Sequence, residues 1–388
     1  MSMTTETPVK QHTILRFLLK LILYTLPFAI LFGLLSGFMI YTGESLPLEM
    51  VAQMQMSDQP ILWRSRYGDR DLDFKVISAN LRQPQIMTVG SSRVLQFRSL
   101  FFNKQPHAFY NGGAPAWTLD QIRQLLDRLT FTPKVLIIGL DQPWFNDAYV
   151  PDVLPDRVSD FTHLFQANRS FMQDVFGGES FDIGRYLARI EPGHGGLALG
   201  LRAIRDGHGF RNDGSEQYGD FLVAHFLYPQ NERQHHLDEL RDGKAMYVYG
   251  DTVSPTRVQQ LEELLIWCKA RGITVIGFQP SFMPTLYQQM IADGNHTYVS
   301  KLDAVLIPLF AKYGDPYFNF ADGAALGASD DDFFDGWHAS EKINLRLYEQ
   351  MLKALPNVLG AYSDPAYLQA ADQGASNTFD VFGNQIIP

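Results

Sequence analysis

A serine directly after a buried strand and next to a glycine is where an α/β protein can hold a nucleophile. The strand's carboxyl end opens on a crevice, and the amino end of a following helix favours developing negative charge. Gly90-Ser91-Ser92-Arg93 follows the apolar run 85–89 and fits that description. A Ser-Ser N-cap on an ordinary helix would give the same string. A serine hydroxyl needs a base to activate it, and the base needs a carboxylate to fix its tautomer. Asp-x-x-His supplies both, and it occurs as Asp160/His163, Asp293/His296 and Asp335/His338. Position has to choose among them. Asp160/His163 lies in an irregular stretch, and Asp293-Gly294-Asn295-His296 reads as a helix end capped by Gly294. Asp335-Gly336-Trp337-His338 falls between the last extended piece and the final helix, at the crevice edge. The candidate catalytic set is therefore Ser92, His338 and Asp335. The pair His235-His236 and His208 read as surface residues, because no ligand spacing supports a metal. Arg93 reads as a salt-bridge partner, with steering of an anionic substrate as the alternative.

The elements needed to position these residues are legible as a rhythm. Apolar runs at 85–89, 134–140 and 273–278, with a short extended piece at 316–320, read as strands. Helical stretches at 118–129, 254–270, 283–292, 298–313 and 341–355 alternate with them, Ser254 capping one and Pro255 opening it. That alternation predicts a parallel sheet covered on both faces. Residues 147–250 break the rhythm and read as an insertion rich in turn residues. The tail 359–388 is polar and weakly periodic, and is expected to wrap the surface or stay disordered. There is no G-x-x-x-x-G-K-[ST] or G-x-G-x-x-G loop, and no cofactor or metal is expected.

The amino terminus addresses the compartment. Residues 21–43 carry no charge over 23 positions, enough for a helix of about 34 Å that crosses a bilayer. Pro27 is tolerable in that setting. Lys10, Arg16 and Lys20 precede the run, while Glu44 and Glu49 follow it. The expected layout is a cytoplasmic tail (1–20), a transmembrane signal anchor (21–43), a linker leading into the domain (44–83), and an extracytoplasmic domain (84–358). Of 388 residues, 46% are hydrophobic and 19% charged, which excludes a disordered chain, a collagen or a coiled coil. A formal net charge of -10 argues against nucleic-acid binding. Cys268 is the only cysteine, so no intrachain disulfide or Cys-based zinc site can form.

Taken in order, these motifs resemble the SGNH (GDSL-like) hydrolase superfamily. Val89-Gly90-Ser91-Ser92 resembles the block that carries the nucleophile, with Ser91 at the family's Asp position. Asn111-Gly112-Gly113 resembles the block whose glycine gives an N–H to the oxyanion hole. Gly139-Leu140-Asp141 falls where the family has G-x-N, and Asp335-Gly336-Trp337-His338 resembles its D-x-x-H. The likeness covers about residues 84–146 and 254–355. It implies a three-layer α/β/α domain with a parallel sheet, a Ser92–His338–Asp335 triad, and an oxyanion or substrate-binding set of Gly113, Asn111 and Asp141. The anchor and the G-S-S turn are similar to membrane-tethered members such as the D-alanine transfer protein and the alginate acetylation proteins. Such proteins work with a membrane-bound O-acyltransferase, so the resemblance implies acyl transfer or ester cleavage on a cell-surface polysaccharide. Asp141 departs from the family's asparagine, since an ionised carboxylate would repel an oxyanion. Gln142, Asn111 and Asn146 are the nearby alternative donors, and Asp141 reads equally as a turn residue. The departure keeps open a catalytically silent protein that binds polysaccharide or scaffolds an acyltransferase.

Overall fold

The computed structural model describes residues 9–151, 158–192, 194–220, 222 and 229–383. The first eight residues of the expected cytoplasmic tail, pieces of the 147–250 stretch and the end of the C-terminal tail lie outside them. Helix α1 (Val9–Tyr41) has an apolar span, Thr13–Tyr41, that is long enough to cross a membrane. From Thr13 to Leu34 its side chains stand exposed, Leu34 at 69%. Beyond that point the helix enters the body: Met39 is fully buried, and Leu35 and Phe38 pack on the same apolar cluster. Within residues 35–43 only part of the surface turns inward: Leu35, Phe38, Met39 and Thr42 face the body, while Ile40 and Tyr41 remain 43% and 45% exposed.

Nine strands among the described residues form two sheets. They are β1 (Ile61–Trp63), β2 (Ile86–Val89), β3 (Phe109–Asn111), β4 (Val135–Gly139), β5 (Leu197–Leu199), β6 (Gly209–Phe210), β7 (Glu216–Gln217), β8 (Thr274–Gln279) and β9 (Tyr317–Asn319). The larger sheet has the order β3-β2-β4-β8-β9 with every pair parallel. Successive residues of its strands point to opposite faces. Ile86, Ile137, Ile276 and Phe278 join one apolar cluster, while Met87, Val89, Leu136, Ile138 and Val275 join another. Both faces are therefore covered, and a one-residue slip would exchange the two sets wholesale. The register aligns Val89 with Ile138 and Gly139 with Phe278, so the loops after β2, β4 and β8 leave from one edge.

Helix boundaries follow from local chemistry. Ser254 Oγ accepts from the Arg257 amide with Pro255 at the first position, and helix Pro255–Ala270 ends at the positive-φ Gly272. Ser340 Oγ caps helix Glu341–Ala354 by accepting from the Ile343 amide, which fixes where the loop carrying Asp335 and His338 ends.

The 44–83 segment, the expected linker and domain entry, is built of regular elements. It contributes helix α2 (Leu48–Met54), β1 and helix α3 (Asp71–Arg82), and helix α4 (Leu119–Asp127) follows β3. In the second sheet, order β5-β1-β6-β7, β1 pairs with strands from the 147–250 stretch. The two irregular regions thus complete one another around Trp63, Phe74 and Phe210: Phe74 stacks on Phe210 and lies tilted against Trp63, with ring centroids 5.8 and 4.3 Å apart. The tail wraps the surface: Phe382 reaches the core and the Val381 amide donates to Glu341 Oε2 at 3.1 Å.

Candidate active site

The turn after β2 is shaped by close packing. Gly90 has φ +152°, and a Cβ there would lie 3.1 Å from Val94 Cγ1. A Cβ on Gly139 would come within 2.4 Å of the same methyl, and one on Gly113 within 2.5 Å of Val94 Cγ2. The glycines after β2, β3 and at the end of β4 therefore close on one side chain, Val94, which draws the three strand ends together. Ser92 opens the short 3-10 turn Ser92–Val94, and Ser91 caps it by accepting from the Arg93 amide at 3.2 Å. Ser91 faces inward and is 1% exposed. Ser92 is half-buried.

The Ser92 hydroxyl lies 2.6 Å from His338 Nε2, and His338 Nδ1 lies 2.8 Å from Asp335 Oδ2. Asp335 uses its other oxygen to shape the loop, accepting from the amides of Trp337 at 2.6 Å and His338 at 2.7 Å. This explains the three-residue spacing: one carboxylate oxygen closes the turn and the other meets the imidazole. Burial opposes the charge on Asp335, but His338 and His236 outweigh it and hold its pKa well below the usual carboxylate range. Burial likewise opposes a charged His338, yet the Asp335 carboxylate and the more distant Glu216 raise its pKa above the usual 6.5.

The other two Asp-x-x-His pairs lie apart from Ser92 in their contacts. His296 bonds Asp293 Oδ2 at 3.1 Å, but its Nε2 is engaged by the Tyr247 carbonyl at 2.8 Å, so that nitrogen does not face a serine. His163 faces the Tyr67 carbonyl at 2.5 Å and Ser45 Oγ at 3.3 Å, while Asp160 pairs with Arg70. Burial pushes the His163 pKa down to about 4.

The groups named for the oxyanion are committed to the protein. Asn111 Nδ2 donates to the carbonyls of Val94 at 2.8 Å and Phe97 at 2.9 Å. Its Oδ1 accepts the Gly113 amide at 2.8 Å, so that N–H points at a side chain of its own loop. Gln142 Nε2 donates to the Pro280 carbonyl at 3.0 Å, and Asn146 Nδ2 to the carbonyls of Val248 and Tyr249. Asp141 is buried against the Arg93 guanidinium, with Oδ1 3.5 Å from Nη1. Burial raises its pKa, with Arg93 and a hydrogen bond from Ser91 opposing.

Arg93 is a buried clasp and has no surface from which to steer substrate. It is 3% exposed and donates to Gln142 Oε1 at 2.7 Å and to the carbonyls of Pro280 and Ser281 at 2.9 and 2.6 Å. Its guanidinium lies 4.0 Å from the Trp337 ring centroid. One cation thereby joins the loops after β2, β4 and β8 to the Asp335–His338 loop.

Two histidines read as surface residues are buried. His208 lies 2.7 Å from Glu216 Oε1. His236, on helix Pro229–Asp242, has Nε2 3.6 Å from Asp335 Oδ2 and Nδ1 2.9 Å from the Tyr247 hydroxyl. A Cβ on Gly336 would meet His236 Cβ at 2.8 Å, so the glycine of Asp335-Gly336-Trp337-His338 admits this helix. His235 beside it is exposed. A charged helix carrying two adjacent histidines gives no sign of which one turns inward. Among the described residues, no cluster of three or more His, Cys, Asp or Glu is arranged to hold a metal.

No protein-family model matches this chain, and neither the curated proteins nor the solved structures yield a match.

Proposed function

We propose that this protein is a membrane-anchored, extracytoplasmic serine acyl-transfer protein with the three-layer α/β/α organisation of the SGNH-like type. Its acceptor would be a surface or exported polysaccharide, and its partner a membrane-bound O-acyltransferase. The observation that carries the reading is the continuous chain from Ser92 Oγ through His338 to Asp335 at the carboxyl edge of a parallel sheet.

In this reading His338 Nε2 takes the Ser92 proton as Oγ bonds to the carbonyl carbon of an acyl donor. The tetrahedral adduct collapses, and the leaving group departs with the proton from His338. An acceptor hydroxyl then gives its proton to His338 as its oxygen attacks the acyl-enzyme. Ser92 recovers the proton on release. Asp335 stays ionised and holds the Nδ1–H tautomer throughout. The donor assigned to the oxyanion is the Ser92 amide, at the first position of the turn, where a helical N–H has no partner within its own turn.

A specific observation favours a second reading. Gly113, Asn111, Gln142 and Asn146 are all engaged elsewhere, and Asp141 carries a carboxyl where the family has an amide. That pattern supports a catalytically silent protein that binds polysaccharide or scaffolds an acyltransferase. Mass spectrometry of candidate acceptor polymers, after incubation with the full chain and an activated acyl ester, separates the outcomes. Acyl groups on polymer hydroxyls support transfer, brisk ester cleavage with unmodified polymer means an esterase, and neither means the silent reading.

A further inference from the structure

We infer that helix α5 (Asp160–Phe176) and helix α6 (Ile183–Ala188) form a second, interfacial membrane contact that seats the domain against the bilayer beside α1. The inference rests on the reading of α1 as a spanning helix.

Three observations carry it. First, α5 and α6 are fixed to the exit end of α1. Phe38 packs on Phe171 with ring centroids 5.5 Å apart, Asn168 Nδ2 donates to Ser36 Oγ at 2.8 Å, and the Tyr41 hydroxyl donates to the Leu187 carbonyl at 2.9 Å. Second, α5 uses two adjoining faces. His163, Ala167 and Phe171 face inward, whereas Phe161, Phe165, Met172 and Phe176, at helical spacing, make a separate apolar stripe. Phe161, Phe165 and Phe176 are 73%, 55% and 83% exposed, and Ile183, Leu187 and Ile190 add 48%, 49% and 55%. Third, the stripe is continuous with the anchor: the Phe165 ring lies 6.3 Å from that of Phe32.

The depth agrees. The lipid-accessible part of α1 runs from Thr13 to Leu34, where burial begins, and 22 residues rise about 33 Å, the thickness of a hydrocarbon core. Phe32 then stands at the outer boundary, and the stripe it touches lies at headgroup level. Arg16 and Lys20 fall in the first two turns of that span, where their long stems let the charges reach the opposite interface. Residues 158–190 carry four acidic and three basic side chains, so attachment should depend on apolar area and hardly on anionic lipid.

The test uses the full chain in phosphatidylcholine proteoliposomes, with Cys268→Ser as background and an environment-sensitive thiol dye at single cysteines. Sites are Phe161→Cys and Phe176→Cys on the stripe, Phe28→Cys on α1, and Ile266→Cys, exposed on helix Pro255–Ala270, as solvent control. Lipid spin-labelled near the headgroup should quench both stripe sites at least about twofold and shield them from iodide, as befits an interfacial depth. The quenching should be unchanged when a third of the lipid is phosphatidylglycerol. Stripe sites open to iodide and unquenched, with Phe28→Cys quenched, would overturn the inference and leave the anchor standing. Loss of quenching at Phe28→Cys as well would overturn both. Stripe sites shielded from lipid and iodide alike would assign the surface to a protein and overturn the lipid contact.

Discussion

Replacing Asp335 with asparagine removes a charge and preserves the shape of the loop, so it isolates what the carboxylate does for His338. In the folded protein burial alone would depress the His338 pKa, and the Asp335 charge is the largest contribution raising it. Asp335→Asn leaves burial and the Arg93 cation, both lowering, against the distant Glu216. The His338 pKa should therefore fall from above 6.5 to below it. An asparagine that presents its amide to Nδ1 also favours the wrong tautomer, and in serine proteases the equivalent change costs about 10⁴-fold. The assay is the second-order rate of fluorophosphonate labelling against pH, which requires no knowledge of the substrate. Wild type should show an acidic limb centred above 6.5, and Asp335→Asn a limb below it with a plateau about 10³–10⁴-fold lower. The same shifts act on stability with opposite signs. His338, raised on folding, favours the folded state below its unfolded pKa and loses that contribution as pH climbs through the folded value. Asp335, depressed on folding, contributes above its unfolded pKa and loses it as pH falls through the folded value. A limb that stays put or moves upward in Asp335→Asn, or an unchanged plateau, would refute this electrostatic account.

Further outcomes are expected from other parts of the molecule. Gly139→Ala should destabilise the chain by about 1–3 kcal/mol in urea unfolding, because its Cβ would lie 2.4 Å from Val94 Cγ1. Adding Val94→Ala should cost less than the sum of the two single changes, and strict additivity would show that the contact is not the cause. His236→Gln should lower the labelling rate about tenfold, the equivalent of 1.4 kcal/mol, with near-unchanged thermal unfolding. An unaltered rate would make His236 a packing partner of Gly336 and nothing more. A reporter fused after residue 60 should be active only outside the cytoplasmic membrane, and activity of a cytoplasmic reporter there instead would reverse the orientation.

How much was legible divides along physical lines. The larger sheet could be read because its strands are buried on both faces and give unbroken apolar runs. Thus 134–140 and 273–278 anticipate Val135–Gly139 and Thr274–Gln279 closely. Helix Pro255–Ala270 carried its own cap and start signals. The second sheet was hidden because its strands are two or three residues long, below any usable period, and its partner strand sits over a hundred positions upstream. For the same reason the 147–250 stretch is built into the body: deleting it would strip β5, β6 and β7 from β1 and expose Trp63 and Phe74. Asp335, His338 and Ser92 were visible as spacing at element ends. The fate of Asn111, Gly113 and Arg93 was not, because a side chain that satisfies neighbouring carbonyls and one that awaits a ligand are spelled the same way.

The central claim is that Ser92 is an activated nucleophile, and covalent labelling tests it most directly. Full-length protein treated with a fluorophosphonate and mapped by peptide mass spectrometry should carry one adduct, on Ser92. Ser92→Ala and His338→Ala should each abolish it, while Ser91→Ala should retain it. An unlabelled Ser92 in folded protein, or an adduct that persists in Ser92→Ala, would contradict the account.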